Sequence, residues 1–197
     1  MKNADIVILV TGASSGIGLS TADYLSALGY CVIGASRSKP PSGTFDWIRL
    51  DITDEAAVYA AIEGIIHQKG KLDVLINNAG LGITGPLEET PEADIQRVFN
   101  TNVWATLRLC RVCLPHFRQQ GGGLIINVGS IAGKMGLPFR GVYSASKASV
   151  EILTEALSME VRSQGIRVCS VLPGDVDTPI NTNRLVANLS DESPYHT

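Results

Sequence analysis

"IVILVTGASSGIG", residues Ile6 to Gly18, holds the reading that decides the fold. An apolar, β-branched run, Ile6–Val10, breaks at Thr11 into a turn carrying Gly12, Gly16 and Gly18, and helical periodicity starts at about Gly16. Glycines at such a crossing let the backbone turn tightly, approach a pyrophosphate and pack the helix onto the sheet. The first N–H groups of the helix then face the anion. The spacing is G-x3-G-x-G rather than the common G-x-G-x-x-G, so a plain structural turn competes with the nucleotide reading of this stretch taken alone.

Outward from the turn, apolar runs recur at Cys31–Ala35, Trp47–Leu50, Leu72–Ile76, Leu124–Val128 and Ile166–Leu172. Helical patterns cover Gly16–Leu28, Asp54–Gln68, Glu92–Gln119 and Val142–Ser163, with Asp54 and Glu92 placed to start theirs and Gly29 and Gly70 closing the first two. Strands apolar throughout are strands covered on both faces, as in a parallel sheet between helix layers. The expectation is a doubly wound α/β domain of three layers, α/β/α, spanning 1–197.

Composition sets the outer limits. Hydrophobic content of 45%, charged content of 18% and a formal net charge of −3 fit a folded globular chain and give no basic patch to recruit nucleic acid or an anionic membrane. No stretch approaches the roughly 18 to 20 apolar residues that span a bilayer. The early apolar run ends at Thr11-Gly12 rather than at a small-residue cleavage site, which argues against a signal peptide and for a soluble, cytoplasmic protein. Cys110 and Cys113 lie inside a helical pattern without further ligands at metal spacing, so they read as buried thiols. His67, His116 and His196 share no ligand spacing, and no metal is expected.

"GVYSASK", Gly141 to Lys147, poses the chemical question, because Tyr143 and Lys147 stand one helical turn apart on a face otherwise trimmed to small side chains. Thr11-Gly12-Ala13-Ser14-Ser15-Gly16-Ile17-Gly18 resembles the T-G-x-x-x-G-[IL]-G signature of the short-chain dehydrogenases/reductases. The other landmarks follow in family order: Asn77-Asn78-Ala79-Gly80, Asn102, Ser130, Tyr143-x-x-x-Lys147 and Pro173-Gly174-x-Val176-x-Thr178.

The resemblance implies a Rossmann fold and a catalytic set of Asn102, Ser130, Tyr143 and Lys147. Tyr143 is then the general acid/base and Ser130 holds the substrate carbonyl. Asn102 bends the long helix and holds a relay water. Lys147 bonds the nicotinamide ribose and lowers the tyrosine pKa from its ordinary value of about 10, an effect of roughly 4 kcal/mol for a cation about 4 Å away in an effective dielectric of about 20. Cofactor contacts fall to Gly12, Ser14, Ser15, Gly16, Ile17, Gly18, Arg37, Asp51, Ile52, Asn78, Ala79, Gly80, Pro173, Gly174, Val176 and Thr178, with Tyr143 and Lys147 shared between cofactor and chemistry. Asp51 also stands near the start of the next helix, which Thr53 or Asp54 would cap better.

The second strand ends "GASRS" without the acidic residue that takes a ribose 2′-OH, and Arg37 stands where a guanidinium meets a 2′-phosphate, so NADP(H) is favoured over NAD(H). "GKMGLPFRGVYSASK", Gly133 to Lys147, is similar to the 17β-hydroxysteroid and retinol dehydrogenase branch, and Leu137, Pro138 and Phe139 either wall an apolar pocket or pack the loop. The expected partners are a small carbonyl or alcohol substrate and a second copy of the chain, as homodimer or homotetramer. After Thr178 no long apolar run remains, so the family's last strand is not expected, and a non-catalytic nucleotide-binding protein of the same fold stands as the competing function.

Overall fold

A computed structural model describes residues 2–180 and 182–195, which leaves His196 outside the described residues. Six strands, β1 (Val7–Thr11), β2 (Cys31–Ser36), β3 (Asp46–Arg49), β4 (Val74–Asn77), β6 (Gly123–Val128) and β7 (Ile166–Val171), form one sheet of order β3-β2-β1-β4-β6-β7, every neighbouring pair parallel. Between β4 and β6 the chain also forms β5 (Ile83–Thr84), which pairs with β8 (Leu185–Val186) as a separate parallel ribbon. The expected doubly wound sheet is present. Its order reverses between β1 and β4, and that switch point is where such sheets hold ligands.

Helix α1 (Gly16–Ala27) covers one face; α2 (Glu55–Lys69), α4 (Ala105–Gln119) and α5 (Gly141–Glu160) pack on the other. Local chemistry sets the helix ends. Asp54 accepts the Ala57 N–H at 3.0 Å, and Gly70, left-handed at φ 81, donates to Ile66 O. The long helix expected over 92–119 is α3 (Glu92–Phe99) and α4 joined through a π turn, Asn100–Trp104, around Asn102.

One expectation needs correcting. The last two strands of the sheet are not covered on both faces. Leu124, Ile126 and Val128 are half-buried, Arg167, Cys169 and Val171 are exposed, and Val171 reaches 51% exposure. Among the described residues α1 is the helix packed on that face, and it lies over β1 and β2 rather than over β6 and β7. The opposite face carries the larger core, including Leu9, Leu75, Leu109, Phe117 and Ile125. Within it Asn77 on β4 donates to Asn127 on β6 at 2.9 Å, and Asn127 donates to Thr154 of α5 at 2.8 Å, a buried polar rung that ties α5 to the sheet.

Candidate active site

The ends of β1 and β4 meet through Thr11. Its hydroxyl accepts the N–H groups of Asn78 at 3.0 Å and Ala79 at 3.1 Å, while the Asn78 amide donates to Thr11 O at 2.9 Å. A methyl group on Gly12 would come within 2.8 Å of Ala79 Cα, and one on Gly18 would run into the Asn78 amide and the Gly12 carbonyl. Gly12 and Gly16 are left-handed, at φ 69 and φ 54, as the turn requires. Ser15, the N-cap of α1, makes no side-chain cap, so the first-turn N–H groups remain for an incoming anion.

From this turn a cleft of about 870 Å³ runs along the switch point. It takes in every expected site residue except Gly18, which serves the packing just described, and Asn102. Arg37 stands at one end beside Asp51, which accepts from Thr53 Oγ1 at 2.7 Å and Thr53 N at 2.9 Å. Those bonds, with the Arg37 charge adding, hold the Asp51 carboxyl below its ordinary pKa. Asp51 therefore makes a local turn, and Asp54 caps α2.

At the other end stand Ser130, Tyr143 and Lys147. Ser130 closes β6 into a short turn by accepting the Ala132 N–H at 3.2 Å. Tyr143 is half-buried, and burial pushes its phenol up, while a hydrogen bond with Ser130 and the Arg140 charge pull it back. Lys147 is 5% exposed, donates to Val128 O at 2.8 Å and lies 6.0 Å from the centroid of the Tyr143 ring. Burial pushes its pKa down to about 8. The lysine is thus engaged with a backbone carbonyl, and the Arg140 charge acts on the same phenol.

The sequence matches the short chain dehydrogenase family over residues 6–188. The chain belongs to that family. It is 44% identical over 190 residues, 95% of its length, to a 3-ketodihydrosphingosine reductase of Bacteroides thetaiotaomicron, of which it spans 70%. It is 35% identical to human 17-beta-hydroxysteroid dehydrogenase type 1 over 192 residues, 89% of this chain and 58% of that one. A solved 3-ketoacyl-(acyl-carrier-protein) reductase of Brucella melitensis, in complex with NADH, superposes with a TM-score of 0.85 at 30% identity, over 91% of this chain and 79% of the other. The protein is therefore a short-chain dehydrogenase/reductase with a nicotinamide-type Rossmann fold, an oxidoreductase by family.

Asn102 sits at the π turn with its amide fully engaged: Oδ1 accepts from Leu81 N at 2.7 Å, and Nδ2 donates to Leu81 O and to Ser146 Oγ, both at 3.0 Å. Ser146 passes the link on by donating to Tyr143 O at 2.7 Å. Gly80 leaves room beside both Asn102 Oδ1 and Lys147 Nζ, each 3.5 Å from where a methyl group would stand. Sequence reasoning missed Ser146, whose small size hid its polar role, along with Arg140 and Arg184, which also line the cleft. Of the loop residues expected to wall the pocket, Leu137 reaches the cleft. Phe139 is left-handed at φ 60 and packs edge-on against Tyr195 at 5.9 Å instead, its carbonyl accepting the Gly85 N–H. Among the described residues no helix is long and apolar enough to cross a membrane.

Proposed function

We propose that the protein interconverts a carbonyl and a secondary alcohol with NADP(H), Tyr143 acting as general acid/base. One observation carries the reading: Ser130, Tyr143 and Lys147 converge at the far end of a cleft that begins at a glycine turn with uncapped helix N–H groups. The cradle fits a dinucleotide. The α1 turn, Gly12 to Gly18, would hold the pyrophosphate, Asp51, Ile52, Asn78, Ala79 and Gly80 the adenosine side, and Pro173, Gly174, Val176 and Thr178 the nicotinamide side. Arg37, with no acidic residue closing β2, supports a 2′-phosphate and hence NADP(H) over NAD(H).

A bound nicotinamide would supply or accept the hydride. Ser130 hydrogen-bonds the carbonyl oxygen and fixes it beside the Tyr143 hydroxyl, which gives its proton to the developing alkoxide. A phenol pushed up by burial stays protonated until that moment. The Ser130 hydrogen bond and the Arg140 charge then stabilise the phenolate left behind. Lys147, one turn away, would bond the ribose, and Asn102, through Ser146, holds the first turn of α5 in position. Keto-group reduction by the named relatives supports a carbonyl on a partly apolar molecule. Exposed Trp104 on the π turn and Ile152 and Met159 on α5 support self-association as a homodimer or homotetramer, and four free cysteines suit a reducing compartment such as the cytoplasm.

The decisive measurement follows NADPH absorbance with a ketone panel. Tyr143→Phe is expected to lose at least about 100-fold in kcat while still binding NADPH. Arg37→Asp should raise kcat/KM for NADH relative to NADPH by at least about tenfold. Equal rates for wild type and Tyr143→Phe would leave a nucleotide-binding protein without this chemistry, and an unchanged cofactor ratio would remove Arg37 from the account.

A further inference from the structure

We infer that the substrate carries an anionic head group close to its carbonyl, held by Arg140 and Arg184 at the substrate end of the cleft. The inference rests on the oxidoreductase reading above and narrows its substrate class. Both arginines line the same cleft as Ser130 and Tyr143, and both are half-buried. Among the described residues neither forms an ion pair, whereas Arg97, which also borders the cleft, is bound to Asp94 at 3.1 Å. A guanidinium that lines a cleft without a carboxylate partner keeps its N–H donors for an anionic ligand. Its planar fork suits carboxylate, sulfonate or phosphate oxygens.

The two residues are held by well-defined structure. Arg140 directly precedes α5, and its charge reaches the Tyr143 phenol. Arg184 precedes β8, whose backbone is fixed by Leu185 N donating to Gly82 O at 2.9 Å and Ala187 N donating to Thr84 O at 2.9 Å. Its Cβ lies 3.1 Å from where a methyl group on Gly82 would stand, so the glycine admits the arginine against the loop. Ala187, two residues beyond β8's start, is buried and anchors the segment. Leu137, Ile180 and Leu185 line the cleft beside the arginines and give an apolar body a surface. Arg140 is the residue before α5 and Tyr143 stands in the first turn of that helix, so an anion on Arg140 would sit at the end of the cleft that holds Ser130 and the phenol. A β-keto acid, or its phosphonate or sulfonate counterpart, with an apolar tail has this layout.

The test measures binding apart from turnover. Calorimetry on the full chain saturated with NADP+ would compare 3-oxooctanoate, its methyl ester and 2-oxoheptylphosphonate. At least one of the anions is expected to bind at least tenfold more tightly than the neutral ester, and the tighter one names the head group. Arg140→Gln and Arg184→Gln, checked for folding by thermal melts, should each cut that preference at least fivefold. Acid, phosphonate and ester binding alike, none of the three binding, or a preference untouched in both variants would overturn the proposal. An anion preference that stands while no ketone is turned over in a Tyr143-dependent way would count against the catalytic reading and leave the anion site in place.

Discussion

At the scale of single residues, the buried ammonium of Lys147 ties activity and stability to pH in opposite directions. Burial brings its pKa down to about 8 from an ordinary 10.5. As pH rises through about 8 the folded protein loses the charge that we propose bonds the ribose, so kcat/KM for NADPH is expected to fall about tenfold per unit above that point. Lys147→Arg, which cannot deprotonate there, should flatten the limb, and a wild-type profile level to pH 9.5 would refute the role. For stability the sign is the reverse. Between about 8 and 10.5 the unfolded chain binds the proton that the folded one has released, so this residue's contribution improves as pH rises through that window. Denaturant titrations of wild type and Lys147→Met at pH 7.5 and 9.5 read it as a difference, which should shift toward wild type by at most about 1.4 kcal/mol per unit. Tyr143 and Lys147 were legible as a phenol and an ammonium one helical turn apart, and Ser130 through family likeness. Arg140, Arg184 and Ser146 were not, since each is an ordinary residue whose role comes from what tertiary packing brings beside it.

At the scale of elements, the contact between α1 and the end of β1 decides whether the cofactor cradle forms. Gly18 faces the Asn78 amide and the Gly12 carbonyl with no space for a side chain. Gly18→Ala is expected to cost about 1 to 3 kcal/mol and to weaken NADPH binding together with the melting temperature, since the same push separates helix from strand. A variant that melts like wild type and binds NADPH normally would show that the contact yields cheaply. The strands and helices around this contact were readable because runs such as Val7–Val10 are buried on both sides. The ribbon of β5 and β8 was not, because two-residue strands carry no periodicity and exist only through pairing with each other. The break in the long helix at Asn102 was anticipated from family likeness, and its cause is now visible in the amide's bonds to Leu81 and Ser146.

At the scale of the whole molecule, the two faces of the sheet differ. One is closed by α2, α4 and α5; the other leaves β6 and β7 half-open, with Cys169 exposed there. A brief alkylation pulse followed by mass spectrometry should label Cys169 at least tenfold faster than Cys110 or Cys113, which are buried and whose thiols burial pushes up, that of Cys110 to about 12. Similar rates for all three would mean that the open face is covered. The apolar run Ile166–Leu172 suggested cover on both sides because hydrophobic content alone does not say which strand is an edge. The rung from Asn77 through Asn127 to Thr154 bears on how such a sheet assembles at all. Parallel strands of Val, Ile and Leu look alike to one another, and a slide by two residues would still bury oil against oil. It would also strand two amides among aliphatic neighbours, at about 1 to 3 kcal/mol apiece. The rung therefore penalises any mispaired arrangement of β4 and β6, and through Thr154 it ties correct pairing to the seating of α5, the helix that carries Tyr143.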